Sequence, residues 1–124
     1  MYEYPEEVKL FKALTHPVRL AILEILRGGE QCVCHMEAAL GYRQAYISQQ
    51  LMVLRDAGLL RDRRDGWNMY YSVIRPEIYA VLDVAHQMTG LSTTKLTLTA
   101  VACTCPNCKE HNVHSVNQPV EFQN

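Results

Sequence analysis

Apolar and polar positions alternate at helical spacing over residues 41–60, and this stretch organises the interpretation of the whole chain. Ile47, Leu51 and Leu54 fall on one face at this spacing. The opposite face carries amide, hydroxyl and guanidinium side chains, from Gln44, Ser48, Gln49 and Arg55. Gly41 and Gly58 bracket the segment, and Gly58 is suited to a left-handed cap. The pattern predicts an amphipathic helix of about four turns whose polar face can read base edges and phosphates.

The same periodicity predicts helices on both sides of this segment. Residues 5–14 form a short helix with Val8, Phe11 and Leu14 as its buried stripe, and residues 18–27 form a second helix. The break between them is set by Pro17, so His16 is expected to cap or pack rather than to bind a ligand. A short third helix runs up to residue 40 and leads through a glycine turn into the segment described above.

A hairpin and a last helix complete the pattern. Asp65 and Gly66 form a turn signal between two strands, of which residues 67–74 are the returning one. Pro76 then starts a helix that ends before Gly90. We therefore predict a mainly α-helical chain with a small β-hairpin wing, that is, a winged helix-turn-helix with about five helices.

The last helix carries an apolar stripe that no later segment obviously covers. The residues predicted to form it are Ile78, Val81, Leu82 and Ala85. An uncovered stripe of this kind favours packing against its counterpart, so a two-fold homodimer is expected. The composition changes after Gly90, which divides the chain into a DNA-binding and dimerisation domain at residues 1–90 and a tail with cysteine and histidine at residues 91–124.

The charge of the chain is uneven although the formal net charge is −1. Residues 42–65 contain five arginines and three aspartates, hence +2 there and −3 elsewhere. A local basic surface of this size suits a dimer that presses two such surfaces onto double-stranded DNA. The residues predicted to contact double-stranded DNA are Arg43, Gln44, Tyr46, Ser48, Gln49, Arg63 and Arg64. Tyr42 is expected in the core, and Trp67, Tyr70 and Tyr71 on the packing face of the wing.

The cysteines and the N-terminus bear on the compartment. No apolar run is long enough to span a bilayer, and the first residues are acidic where a signal peptide is basic. A cytoplasmic protein with no membrane partner is expected. Five cysteines, an odd number, then favour metal or redox chemistry over a disulfide scaffold.

The cysteines form two groups. Cys32 and Cys34 precede the third helix, where two thiolates can face one soft ion only if the backbone bends. The tail group consists of Cys103, Cys105, Cys108, His111 and His114. Three thiolates suit trivalent arsenic, whereas cysteines with histidines suit tetrahedral zinc. Whether the two groups form one shared site or two separate sites stays open at this point.

Four segments of the sequence resemble the ArsR/SmtB family of metal-sensing winged-helix repressors. They are residues 14–23 (Leu-Thr-His-Pro-Val-Arg-Leu-Ala-Ile-Leu), residues 32–34 (Cys-Val-Cys), residues 47–59 (Ile-Ser-Gln-Gln-Leu, then Leu-Arg-Asp-Ala-Gly-Leu), and residues 63–66 with 70–73 (Arg-Arg-Asp-Gly and Tyr-Tyr-Ser-Val). The resemblance implies a homodimer that binds an operator and is released by an effector. Its Cys-x-Cys is similar to the metal box of the arsenic, cadmium and lead sensors. Gln31 and His35 depart from that box, and Glu37 stands where a trithiolate arsenic site would have its third cysteine.

These observations lead to one functional hypothesis and two alternatives. The first is a transcriptional repressor relieved by a thiophilic ion: arsenite or antimonite, then cadmium or lead, then zinc. Binding at Cys32 and Cys34 would tilt the third helix against the recognition helix. The second is a repressor that senses oxidants or persulfides by linking one of these cysteines to a tail cysteine. A thiol oxidoreductase is disfavoured because the chain lacks an alternating α/β pattern, so no enzyme is expected.

Overall fold

The computed structural model describes residues 3–90 and the backbone of two further short strands. The elements in chain order are α1 (Pro5–Ala13), α2 (Pro17–Leu26), β1 (Gln31–Cys32), α3 (Val33–Leu40), α4 (Gln44–Asp56), β2 (Leu60–Asp65), β3 (Asn68–Val73), α5 (Glu77–Met88), β4 (Leu96–Leu98) and β5 (Val120–Phe122). The predicted order of helices and hairpin is confirmed, and the described part is a winged helix-turn-helix in which α3 and α4 form the helix-turn-helix and β2 and β3 the wing. None of the helices in the described residues is long and apolar enough to cross a membrane.

The predicted caps explain where the helices begin and end. Pro17 is at the start of α2, and Nδ1 of His16 accepts a hydrogen bond from the backbone N–H of Val18 at 3.2 Å, as expected for a capping residue. Gly41, with φ +76°, ends α3, and Gly58, with φ +82°, follows α4. These left-handed conformations strain any residue with a Cβ, so the two glycines fix both ends of the turn-helix segment.

The core lies between the helices and one face of the sheet. Its fully buried members include Ile22, Leu23, Met36, Ile47, Leu51 and Leu54. The apolar stripe predicted for α4 is therefore confirmed, since all three of its residues are 0% exposed. Burying a leucine side chain of this kind contributes about 1.5–3 kcal/mol, so α4 is held in place chiefly by this stripe.

The sheet has three antiparallel strands in the order β1-β3-β2. Strand β1 was not predicted, because two residues are too short for an alternating pattern to appear. It pairs Cys32 with Tyr70 of β3, and β2 pairs Arg63 with the same tyrosine. Tyr71 faces the helical core, whereas Tyr70 packs with Cys32 and Cys34 in a separate small cluster. The sheet thus joins the first cysteine group directly to the wing.

Two polar contacts attach α5 to α2. Arg27 donates to Asp83 at 2.9 Å and lies over the ring of Tyr79, 4.5 Å from its centroid. The hydroxyl of Tyr79 donates to the carbonyl of Leu23 at 2.6 Å. Burial raises the pKa of Tyr79 above its ordinary value. These contacts fix α5 against its own protomer.

The predicted stripes of α1 and α5 require correction. Val8 and Phe11, expected to be buried, are 48% and 56% exposed, because α1 contacts the core through Leu10 and Ala13 instead. Ile78 and Leu82, assigned to the dimer interface, are 3% and 5% exposed and belong to the core of their own protomer. Both errors arise because a helix rotated by a fraction of a turn exposes a different stripe.

The remaining apolar residues of α5 stay at the surface. Val81 is 40% exposed, and Ala85 is exposed as well. Val84 and Met88 lie beside them, 52% and 82% exposed. Of the predicted interface, a partner can therefore reach Val81 and Ala85, and Val84 and Met88 extend the same exposed surface.

Strands β4 and β5 pair antiparallel, with Thr97 opposite Glu121. The tail group of cysteines and histidines lies outside the described residues, and so does the linker that leads to β4. The division of the chain at residue 90 stays a prediction.

Candidate nucleic-acid interface and thiol site

Helix α4 presents the polar face that the sequence predicted. Arg43 precedes the helix and is exposed, and Gln44 and Gln49 are exposed on the helix itself. Ser48 is half-buried. The opposite face of α4 is buried in the core, so these polar side chains project from a backbone that is held in place. A helix that contacts base edges requires such a fixed backbone.

Tyr46 is more constrained than the sequence suggested. Its side chain is half-buried, and its hydroxyl lies 3.2 Å from Nε2 of His16. Nδ1 of His16 accepts the hydrogen bond that caps α2. A neutral imidazole ring therefore has its N–H at Nε2, and this N–H donates a hydrogen bond to the tyrosine oxygen. Tyr46 thereby ties the start of α4 to α2, and its contact with DNA stays a prediction. Tyr42, expected in the core, is instead 46% exposed, with its ring 5.0 Å from that of Tyr46.

The two wing arginines predicted to contact phosphate differ in their surroundings. Arg63 donates to both carboxylate oxygens of Glu30, at 2.7 and 3.0 Å, and its guanidinium lies 4.6 Å from the centroid of the Tyr70 ring. The hydrogen bond from Arg63 lowers the pKa of Glu30 below its ordinary value. Arg63 is therefore engaged with a carboxylate and an aromatic face in the protein without DNA.

Arg64 is exposed and has no ion-pair partner among residues 3–90. Side chains alternate along a strand, so Arg64 shares a face of β2 with Asp62. Asp62 accepts from Arg55 of α4 at 3.2 Å. Within residues 3–90, Arg64 is thus an unpaired cation on the side of the wing that faces α4.

Trp67 departs from the prediction that it packs on the wing. It is 101% exposed, whereas Tyr70 and Tyr71 are 2% and 8% exposed, as expected for packing residues. Strand β2 ends at Asp65, which pairs with Asn68, so the two-residue loop consists of Gly66 and Trp67. Gly66 has φ +62°, as in a type II′ turn. Asp65 and Gly66 correctly predicted a turn, but the two-residue loop begins one residue later than expected. This shift moves the indole of Trp67 from the returning strand to the tip of the hairpin.

The backbone does bring Cys32 and Cys34 together. The structure joins their sulfurs in a disulfide, with the Cα atoms 5.3 Å apart. The Sγ atom of Cys32 also accepts a hydrogen bond from the N–H of His35 at 3.2 Å and so caps α3. Cys32 is 0% exposed while Cys34 is half-buried, so an external molecule reaches Cys34 first.

A groove of about 500 Å³ leads from this pair to the recognition helix. It is lined by Cys34, Glu37, Ala38, Gly41, Tyr42 and Arg43. Glu37 and Arg43 place one negative and one positive side chain at its wall. Burial lowers the pKa of His35, next to the pair, which favours the neutral imidazole. The thiol site and the residues just before α4 therefore share one surface.

In its reduced form the cysteine pair would supply two of the ligands that a soft ion needs. Among the described residues no group of three or more cysteine, histidine, aspartate or glutamate side chains is placed to hold a metal ion. Two adjoining thiolates fit a thiophilic ion chemically, and the ligands that complete a pyramidal or tetrahedral site would come from elsewhere. The tail residues that could provide them lie outside the described part of the chain.

Comparisons with known proteins agree with this geometry. A sequence profile described as "Bacterial regulatory protein, arsR family" matches residues 16–62. The HTH-type transcriptional regulator Rv0081 of Mycobacterium tuberculosis is 40% identical over 86 residues, which are 68% of this chain and 75% of that protein. The arsenic resistance transcriptional regulator ArsR1 of Pseudomonas putida is 44% identical over 70 residues, 56% of this chain and 54% of that protein.

Solved structures show the same similarity. The crystal structure of Rv0081 superposes with a TM-score of 0.64 at 36% identity, covering 72% of this chain and 93% of that one. The homodimeric winged helix-turn-helix DNA-binding domain of Mb0332 from Mycobacterium bovis, described as a possible ArsR-family regulator, has a TM-score of 0.62 at 29% identity, covering 68% of this chain and 81% of that one. The matched proteins are transcriptional regulators and not enzymes.

Proposed function

Because the chain belongs to the arsR family of winged helix-turn-helix transcriptional regulators, we propose that it is a cytoplasmic repressor released from operator DNA by a thiophilic metal or metalloid bound through Cys32 and Cys34. One observation carries this proposal. Cys32 caps α3, which packs on α4, and as a residue of β1 it pairs with β3 of the wing, while Cys34 lies in the first turn of α3. A change at the two sulfurs therefore acts on both DNA-contacting elements at once.

The ligand chemistry follows from the donors. Thiolates select soft ions, so arsenite or antimonite ranks first, followed by cadmium or lead and then zinc. The pair offers two sulfurs, and Glu37 is the acidic side chain that borders the groove beside them. The residues proposed to complete a site, either shared with the pair or separate from it, are Cys103, Cys105, Cys108, His111 and His114. The similarity to a protein named as an arsenic resistance regulator supports the same ranking.

A second candidate effector is thiol oxidation, and the Cys32–Cys34 disulfide is the observation that favours it. The thiolate of the more exposed Cys34 would attack a low-molecular-weight disulfide, forming a mixed disulfide and releasing one thiolate. The thiolate of Cys32 would then displace the second thiolate from the Cys34 sulfur. Two cysteines are oxidised and one external disulfide is reduced to two thiols. In this form the switch lies within the pair rather than between the pair and the tail.

The DNA-bound species is proposed to be a homodimer. Each protomer leaves Val81, Ala85 and Met88 of α5 at its surface, together with Val8 and Phe11 of α1. Residues of both helices, Val81 among them, line one cavity of about 420 Å³, so α1 and α5 lie next to each other. A two-fold contact through this surface would cover apolar area that a monomer exposes and would set the spacing of the two α4 helices. The residues proposed to contact double-stranded DNA remain Arg43, Gln44, Tyr46, Ser48, Gln49, Arg63 and Arg64.

The test is an anisotropy titration with labelled duplex DNA. The duplex is selected from a random-sequence pool by the reduced protein, and the complex is then titrated with arsenite, cadmium or a low-molecular-weight disulfide. We expect release by arsenite with wild-type protein and none with Cys34→Ser. Cys105→Ser is the matched control in the tail: release that survives it shows that the trigger does not require Cys105.

Two outcomes would contradict parts of this proposal. Release by the disulfide but by no metal or metalloid would favour the oxidation candidate over the metal one. Failure of the reduced protein to select any duplex would refute the proposed repressor function itself.

A further inference from the structure

Trp67 is the only tryptophan in the chain, and its side chain is 101% exposed at the tip of the wing. An indole is the largest apolar side chain, and leaving all of it in water forgoes the stabilisation that burial gives. The type II′ turn at Gly66 holds it there, because the pairing of Asp65 with Asn68 leaves no other place in the hairpin. The position of Trp67 is fixed by the hairpin, but its side chain contributes no packing to the protomer. This combination indicates that Trp67 makes a contact outside the protomer.

The surroundings of the tip identify the chemistry of that contact. Strand β2 carries three arginines, of which Arg64 has no ion-pair partner within residues 3–90 and faces the side of α4. A cation beside an aromatic face matches a polyanion that also presents apolar edges and ring planes. Two like-charged wings would repel each other, which disfavours the same tip on a second copy of this chain as the partner. Double-stranded DNA combines both properties.

We propose that Trp67 packs its indole into the minor groove of the operator, beside the major-groove site of α4, where it contacts sugar and base edges as an apolar wedge. Arg64 accompanies it on the flanking phosphate. The wing then contributes to affinity through shape and deformability of the flanking base step as well as through charge. This inference rests on the proposed DNA-binding function. It assigns to Trp67 an apolar contact with DNA, which the charge pattern of the wing does not predict.

The wedge has a signature that separates it from an ionic contact. Trp67→Ala should weaken operator binding about tenfold for each protomer and so about a hundredfold for the dimer, the loss expected for one aromatic contact with a base at each wing. The dependence of affinity on salt should stay unchanged, because no phosphate contact is lost. Trp67→Phe should recover part of the affinity. Thermal melting should not change in either variant, since the side chain has no packing role in the protomer.

The emission of the single tryptophan tests the inference directly. Reduced wild-type protein is titrated with the pool-selected duplex and with a duplex shortened at both flanks, while binding is followed separately by the anisotropy of the labelled DNA. We expect water-exposed emission in the free protein, a blue shift or quenching with the full duplex, and neither with the shortened one. The affinity loss of Trp67→Ala should likewise vanish on the shortened duplex.

Two results would overturn the inference while leaving the repressor intact. One is buried-type emission in the free protein, which would mean that another part of the chain or a second copy covers the indole. The other is tight DNA binding with unchanged emission and unchanged affinity of Trp67→Ala. If no duplex is selected at all, the proposed function fails first and the wedge fails with it.

Discussion

Replacing Arg64 by alanine should reduce the salt dependence of operator binding, whereas replacing Arg63 should change it much less. The sequence gives the two arginines equal standing, since they are adjacent and both predicted to contact phosphate. The structure separates them: Arg63 is bound to Glu30 at 2.7 and 3.0 Å, while Arg64 has no ion-pair partner within residues 3–90. A guanidinium that already pairs with a carboxylate must give up that partner before it neutralises a phosphate, so it should contribute less to counterion release than an unpaired one.

The magnitude follows from the number of phosphates neutralised. Each contact contributes about 0.9 to the slope of log affinity against log salt concentration, so the loss of Arg64 from both protomers should lower the slope by about 1.8. Between about 50 and 200 mM salt, the wild-type dimer should then lose about twelvefold more affinity than the Arg64→Ala dimer. The two binding curves should converge as the salt concentration rises.

Glu30→Gln supplies the complementary variant. It removes the carboxylate that holds Arg63, so the slope should become steeper if the released guanidinium reaches a phosphate. The side chains of Arg63 and Glu30 are 50% and 33% exposed, so solvent screens the pair and its loss should have little effect on stability. Stability therefore does not obscure the binding result.

The measurement is anisotropy of labelled duplex DNA at a series of salt concentrations for wild type and the three variants. Equal reductions of the slope in Arg63→Ala and Arg64→Ala would refute the reasoning, because Arg63 would then reach phosphate despite Glu30. An unchanged slope in Arg64→Ala would show that Arg64 makes no ionic contact with this DNA.

Three further predictions concern stability and assembly. Leu51→Ala should lower the free energy of unfolding by about 2–5 kcal/mol in urea titrations, whereas Met52→Ala, at the next position and 51% exposed, should change it by less than about 0.5 kcal/mol. Phe11→Glu should shift sedimentation from dimer to monomer with little change in helix content, and a dimer that persists would place the interface elsewhere. Burial raises the pKa of Tyr79. Above pH 10, the ordinary pKa of a phenol, Tyr79 therefore ionises in the unfolded state before it ionises in the folded state, so the free energy of unfolding should fall as pH rises. Tyr79→Phe should make this fall shallower, and an unchanged slope in that variant would contradict the prediction.

Local patterns were enough to predict the helices and the outer face of α4. Ile47, Leu51 and Leu54 follow one another at helical spacing, and the glycines at both ends of the segment limit the length of the helix. Neither the buried stripe of α4 nor its length therefore depends on distant residues. The turn at Gly66 was likewise visible. Its register was not, because a two-residue loop can start at either of two positions and each exposes a different side chain.

Contacts between distant positions decided the candidate site. Whether Arg63 is free depends on Glu30, which lies 33 positions earlier in the chain. The link from Cys32 to the wing depends on β1, whose two residues carry no pattern of their own. Distant contacts also decide which helix surfaces are buried. Periodicity places apolar residues on one side of α1 and of α5. The rotation of each helix, which buries Ile78 and exposes Phe11, is set by neighbouring segments that come together only on folding. Sequence alone determined which elements form and which chemistry they carry, because those follow from short-range geometry. The tertiary structure decided which side chains are free to act, because exposure and ion pairing depend on packing between segments far apart in sequence.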